Sequence, residues 1–293
     1  MIYMIKYVIP ILFGIFSCVA LPAAPPSFAV NVTGKGKPMI LIPGLSSSGH
    51  VWDGTVAHLK DRYEMHVLTL AGFAGQPRIE DPFLETVRND LAAYIRKNKL
   101  DKPVIVGHSL GGFLALWLAS HDPDLVGPLV IVDSLPFLPA VYNPAATAES
   151  GKAMAEQMRA GMLKQTEEER LKAGEQFVRP MVTSAANFEI VSGWSKTSDI
   201  VAIANAMHDM FATDLRADVA RITSPTIVIG TWIGYKEYAT RDVTEKNFET
   251  QYALLKGHEL ILSDTARHFV MLDDPEWFYR TLDRFLAPAK PRS

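Results

Sequence analysis

The order of segments in this chain predicts an α/β fold: a mostly parallel sheet flanked by helices, with a helical cap inserted into it. Three observations carry that expectation. Short apolar runs alternate with stretches of helical spacing on both sides of a gap. The gap, 136–222, holds no convincing strand. Finally, Val104-Ile105-Val106 enters the turn Gly107-His108-Ser109-Leu110-Gly111-Gly112 and leaves it through an apolar, helix-favouring stretch. That is strand, sharp turn and helix, with a serine at the apex.

Taken in order, Phe28 to Thr33 alternates like a strand, and Gly34-Lys35-Gly36-Lys37-Pro38 is a turn. Met39-Ile40-Leu41-Ile42 is wholly apolar, as expected of a strand covered on both faces. It ends in the loop Pro43 to Gly49, at the end of a strand where open α/β sheets bind ligands. Val51 to Asp61 has helical spacing, Glu64 to Leu70 reads as a strand, and Phe83 to Lys99 is an amphipathic helix. The nucleophile strand follows, with a helix over 113–121, and Pro128 to Val132 is a strand ending at Asp133. Four short helices are expected in the gap, over 145–161, 167–177, 186–195 and 199–210. The sheet resumes at Pro225 to Ile229, followed by a helix over 242–255, a strand over 259–262, the loop holding His268, and a closing helix from Pro275 to Leu286.

The 293 residues allow one large domain or two small ones. A net charge of −3, without a basic run of five or more, leaves nucleic-acid binding no electrostatic footprint. Lys6 precedes an apolar run, Tyr7 to Ala20, of signal-peptide length, and small residues follow it. The expected organisation is therefore a signal peptide over 1–24, a core over 25–135 and 223–293, and a cap over 136–222, in a secreted or periplasmic protein. The only cysteine, Cys18, lies in the leader, so the remaining chain forms no disulfide. Ile15-Phe16-Ser17-Cys18 also resembles the lipid-attachment box of bacterial lipoproteins, which would tether the protein to a membrane.

A serine hydroxyl is a poor nucleophile unless it is presented free of its surroundings and next to a base. Ser109 at the turn apex meets the first need, and glycines at 107 and 111 let strand and helix pass close together. His268, late in the chain between a strand and a helix, is the candidate base. Asp133, ending the strand after the nucleophile helix, is the candidate acid, and Glu237 and Asp242 are its rivals. His108, beside the nucleophile, reads as structural.

With Leu41-Ile42-Pro43-Gly44, Gly107 to Gly112 and His268 to Pro275 in place, the chain resembles the α/β-hydrolase family, in its branch with a helical cap. The resemblance covers nearly the whole chain after the leader. It implies an oxyanion hole made by the backbone amides of Leu45 and Leu110, and no metal or organic cofactor. Three positions depart from the family pattern. Pro43 stands where a histidine is frequent, Thr69 to Gly75 lacks an acid found in many members, and Ile233 stands where an aspartate is common. The methionines of the cap pack its underside, and Met158, Met162 and Met207, with Trp232, are expected to line an adaptable apolar substrate pocket. The function expected is a serine hydrolase that cleaves small to medium apolar carboxylic esters through an acyl-enzyme on Ser109. Lactone, thioester, amide or carbon–carbon bond hydrolysis on the same residues, or non-catalytic ligand binding, are the alternatives.

Overall fold

The computed structural model describes residues 25–287; the signal peptide expected over 1–24, with Cys18, lies outside the described residues. Seven strands form one sheet: β1 (Phe28–Gly34), β2 (Lys37–Ile42), β3 (Tyr63–Leu70), β4 (Val104–His108), β5 (Leu129–Val132), β6 (Thr226–Thr231) and β7 (Glu259–Ser263). Their order is β1-β3-β2-β4-β5-β6-β7. β1 pairs antiparallel with β3, and every other pairing is parallel.

The strand sequences explain the burial. β5 is apolar along its length, and β4 from Val104 to Val106, because both faces are covered, and alternate residues supply two separate cores. Ile40, Ile42, Ile105, Leu129 and Ile131 face one of them, together with Leu84, Val87 and Leu91 of α2 (Phe83–Lys97) and Phe113 and Leu114 of α3 (Leu110–His121). Met39, Leu41, Val104, Val106, Val130 and Val132 face the other, against Trp52, Phe278 and Leu282. The remaining core helices are α1 (Asp53–Leu59), α8 (Arg241–Gln251), α9 (Val270–Asp273) and α10 (Pro275–Leu286).

Between β5 and β6 stand α4 (Ala148–Met162), α5 (Glu167–Val178), α6 (Ala185–Lys196) and α7 (Ile200–Ala212). All four start on side-chain caps that satisfy free amides: Thr147 and Thr166 in reciprocal capping boxes, Ser184 on Asn187, and Asp199 on Val201 and Ala202. The insertion is anchored rather than loose. Ala202, Ala206 and Met210 of α7 belong to the first core, and Asp209 accepts a hydrogen bond from the Leu84 amide at 2.9 Å. Arg159 ties α4 to Asn205 at 2.7 Å and to Asp81 at 2.8 Å.

Several element boundaries shift by a few residues from the sequence expectation, among them the end of α8 at Gln251 rather than at 255. The helix after the nucleophile begins at Leu110 rather than Phe113, because tight packing overrides the poor helix propensity of Gly111 and Gly112. The helix expected over 51–61 is a 3₁₀ turn, Gly49–Trp52, running into α1.

The chain goes from β2 outward to β3, then returns to the other side of β2 as β4. Connections therefore diverge between the carboxyl ends of β2 and β4, and a crevice opens there. Contact at that point is close enough to require glycine. A Cβ on Gly107 would sit 2.3 Å from the Gly111 carbonyl oxygen, and one on Gly111 would sit 2.3 Å from the Ile42 carbonyl oxygen. Gly193, exposed in the middle of α6, has open space around it. Gly111→Ala is thus expected to destabilise the fold by about 1–3 kcal/mol or more. Gly193→Ala should instead add about 0.5–1 kcal/mol through helix propensity. Urea midpoints of the two variants, compared at constant slope, check the pair.

Candidate active site

Ser109 is the residue between β4 and α3, with φ 53° and ψ −120°. Few non-glycine residues adopt such a backbone, and such strain gathers at functional positions. The turn is held by its neighbours: the Ser109 amide donates to the Val132 carbonyl at 2.8 Å. The loop after β2 lies against it, since a Cβ on Gly44 would be 3.2 Å from the Ser109 Cβ. Among the described residues, the Leu45 and Leu110 amides donate no hydrogen bond. Leu110 opens α3, so its amide is one of the free donors that every helix N-terminus carries.

His268 and Asp133 come together. His268 Nδ1 donates to Asp133 Oδ2 at 2.6 Å, across 135 residues of sequence. Both side chains are largely buried. The carboxylate is held on its other side by β6: the Thr231 amide donates to Oδ1 at 2.9 Å, and the Thr231 hydroxyl donates to Oδ2 at 2.7 Å. Asp133 itself has φ 46°, a left-handed conformation that aspartate tolerates better than most residues. Because Nδ1 carries the proton toward the carboxylate, Nε2 is left as the basic nitrogen, and among the described residues it makes no hydrogen bond. Glu237 and Asp242, the rival acids, are exposed on the segment after β6 and at the start of α8. Thr231 was not singled out in the sequence, although a hydroxyl closing an apolar strand beside the missing carboxylate at 233 is the available signal.

His108 tethers the loop that carries His268. Its Nε2–H donates to the His268 carbonyl at 3.0 Å, and its ring lies 4.6 Å from the rings of both His268 and Phe269. Its Nδ1 is buried and has no partner among the described residues. Burial holds the His108 imidazole well below its ordinary pKa, and the neighbouring His268 lowers it further.

Ser109, Asp133 and His268 all line one cavity of about 940 Å³. Its walls come from the segment after β5 (Ser134 to Pro144), from Met210 of α7, and from the stretch Thr231 to Thr250. This corrects the expected pocket, because none of Met158, Met162, Met207 and Trp232 lines it. Met162 and Met207 pack against the first core, where a flexible thioether fills gaps between helices, and Met158 is half-buried on α4. Trp232 turns outward because its indole N–H finds an acceptor in Asp264 Oδ1 at 2.8 Å. The residues that do the lining, Tyr142, Tyr235, Tyr238 and Phe248 among them, sit in stretches that read in the sequence as loop and helix only. Among the described residues, no group of three or more His, Cys, Asp or Glu could hold a metal ion.

This fold and arrangement match a known family. The model of the alpha/beta hydrolase family matches residues 39–281, and the chain belongs to that family. Among curated proteins it is similar to a pimeloyl-[acyl-carrier protein] methyl ester esterase of Vibrio atlanticus, 33% identical over 114 residues, which are 39% of this chain and 43% of that one. The chain thus spans under half the length of that relative. A protein of the same description from Legionella pneumophila is 22% identical over 86% of this chain and 96% of its own. Among solved structures, a hydrolase from Pseudomonas aeruginosa superposes with a TM-score of 0.75 at 20% identity, over 89% of this chain and 94% of that one. An esterase from Exiguobacterium antarcticum gives 0.73 at 16% identity, over 90% and 99%.

The buried, uncharged state of His108 has a consequence for stability against pH. In the unfolded chain its imidazole takes up a proton near the ordinary value of 6.5, whereas in the fold it resists doing so. The unfolded state therefore binds more protons below that pH, and the stabilisation present above it is lost as pH falls, at about 1.4 kcal/mol per pH unit at most. Replacing the group by a non-titrating amide, His108→Gln, should flatten the stability profile between pH 6.5 and 5 relative to the unaltered protein. Urea unfolding across that range reads the difference.

Proposed function

We propose that this chain is a serine esterase: Ser109 is the nucleophile, His268 the general base and acid, and Asp133 the residue that orients His268. The observation that carries the reading is the 2.6 Å hydrogen bond from His268 Nδ1 to Asp133 Oδ2 in a cavity that Ser109 also lines. A carboxylate on Nδ1 fixes the tautomer and stabilises the imidazolium that forms when Nε2 takes a proton.

The steps follow from those groups. Ser109 Oγ attacks the ester carbonyl carbon and its proton passes to His268 Nε2. The oxygen of the tetrahedral intermediate takes the negative charge, and the Leu45 and Leu110 amides hold it, each donor contributing about 3 kcal/mol of transition-state stabilisation. The intermediate collapses with cleavage of the carbon–oxygen bond to the leaving alcohol, which receives the proton from Nε2. Water, deprotonated by His268, then attacks the acyl-enzyme, releasing the acid and restoring Ser109.

Carboxylic esters are favoured over amides and carbon–carbon bonds because the named relatives are methyl ester esterases. An apolar substrate is supported by the walls of the cavity, which Phe113, Leu135, Leu138, Met210 and Phe248 line together with Ser109.

A fluorophosphonate is expected to attach once per chain, at Ser109, as read by mass spectrometry of the labelled peptide. No attachment to the folded protein would instead favour a ligand-binding homologue without catalysis. Asp133→Asn should lower kcat on an apolar ester by roughly four orders of magnitude, the scale on which loss of the correct tautomer acts. Asp242→Asn and Glu237→Gln should leave it unchanged, and the reverse pattern would move the acid to the segment after β6. His108→Leu, which removes the tether on the His268 carbonyl, should lower kcat more than it alters KM, with partial recovery in His108→Gln.

A further inference from the structure

The outer part of the same cavity carries apolar side chains that the fold leaves in solvent. Val141, Tyr142, Tyr235, Tyr238 and Val243 are each at least two-fifths exposed, Tyr238 at 90% and Tyr142 at 71%, and all five line the cavity. The other exposed large hydrophobics are spread over β1, α4 to α6 and the turns after α4 and α8. Concentration at one opening distinguishes this group, since single exposed hydrophobics are ordinary and clustered ones mark a binding surface.

The five come from two segments, one after β5 and one after β6. Residues of both segments line the same cavity. The Tyr142 ring is stacked on Phe211 of α7, with centroids 6.4 Å apart, and still stands 71% exposed, so the aromatic wall is braced from behind while much of it remains open to a ligand. The charge at the opening is balanced, because Lys246 is paired with Glu249 at 3.1 Å.

We propose that the substrate carries a bulky, uncharged apolar substituent, aromatic or long-chain aliphatic, which this opening holds between Tyr142 and Tyr238. The proposal rests on the esterase reading and names the class of ester. The same cavity is lined by the less exposed Leu138 and Phe113 and by Ser109, so a substrate long enough to span it would meet both the exposed tyrosines and the nucleophile. Volume agrees: about 940 Å³ lies near the top of the range of small-molecule sites, far beyond what a short alkyl acetate fills. Tyrosine suits the rim because its ring gives a rigid apolar surface while its hydroxyl stays in water.

Binding and chemistry can be read apart. Ser109→Ala protein is titrated by calorimetry with methyl acetate and with methyl decanoate, the latter kept below its aggregation concentration. Methyl decanoate should bind at least about tenfold more tightly, and Tyr142→Ser with Tyr238→Ser on the same background should reduce that preference to about threefold or less. Phe177→Ser, on an exposed hydrophobic away from the cavity, should leave it intact, and far-ultraviolet circular dichroism checks that each variant is folded. Equal binding of the two esters, an unchanged preference in the double variant, or binding seen only above the aggregation concentration would overturn the proposal; the last would indicate a surface that recognises a lipid interface. Turnover of both esters by protein bearing Ser109 is measured in parallel, and its absence would count against the esterase reading alone.

Discussion

One hydrogen bond, from His268 to Asp133, sets the demands that the surrounding structure meets. A short, largely buried contact between an imidazole and a carboxylate needs both partners held at a fixed separation, and neither side chain is held by its own segment alone. Asp133 is positioned by the ladder between β5 and β6 and by two hydrogen bonds from Thr231. His268 is positioned by the loop after β7, whose main chain His108 grips from the nucleophile strand. Three neighbouring strands, β4, β5 and β6, thereby converge on one pair. The buried carboxylate has its oxygens satisfied by hydrogen bonds from Thr231 and His268, as a buried polar group requires.

The opposite side of the site is governed by sterics. The loop after β2, the turn at Ser109 and the first residues of α3 are packed so closely that two glycines have no tolerated replacement without backbone movement. This closeness sets the loop after β2, with the free Leu45 amide, against the turn at Ser109, whose dihedral angles are unusual, and the free Leu110 amide follows directly in the chain. Strain at Ser109 and free donors next to it are two results of one arrangement, the crossing of β4 and α3 beneath the end of β2.

Much of this was legible in the residues. A parallel sheet covered on both faces is written as uninterrupted apolar runs, so β2, β4 and β5 stood out, as did the amphipathic stripe of α2. Local chemistry also marked the Ser109 turn. Contacts between distant segments were less legible. The anchoring of Asp133 by Thr231 spans 98 residues and leaves no local pattern. The pocket was misread because methionines in an amphipathic insertion look the same whether they face a ligand or a core; here Met162 and Met207 meet the core. Tyr142 and Tyr238 escaped notice for the complementary reason, since aromatic residues in loops carry no periodicity.

The most direct measurement is a crystal structure of the protein after reaction with an alkyl fluorophosphonate. Phosphorus is expected on Ser109 Oγ, with one phosphoryl oxygen between the Leu45 and Leu110 amides, His268 Nε2 directed at the adduct, and Nδ1 still on Asp133. Attachment at another residue, or an adduct on Ser109 with His268 turned away and its bond to Asp133 broken, would contradict the proposed chemistry.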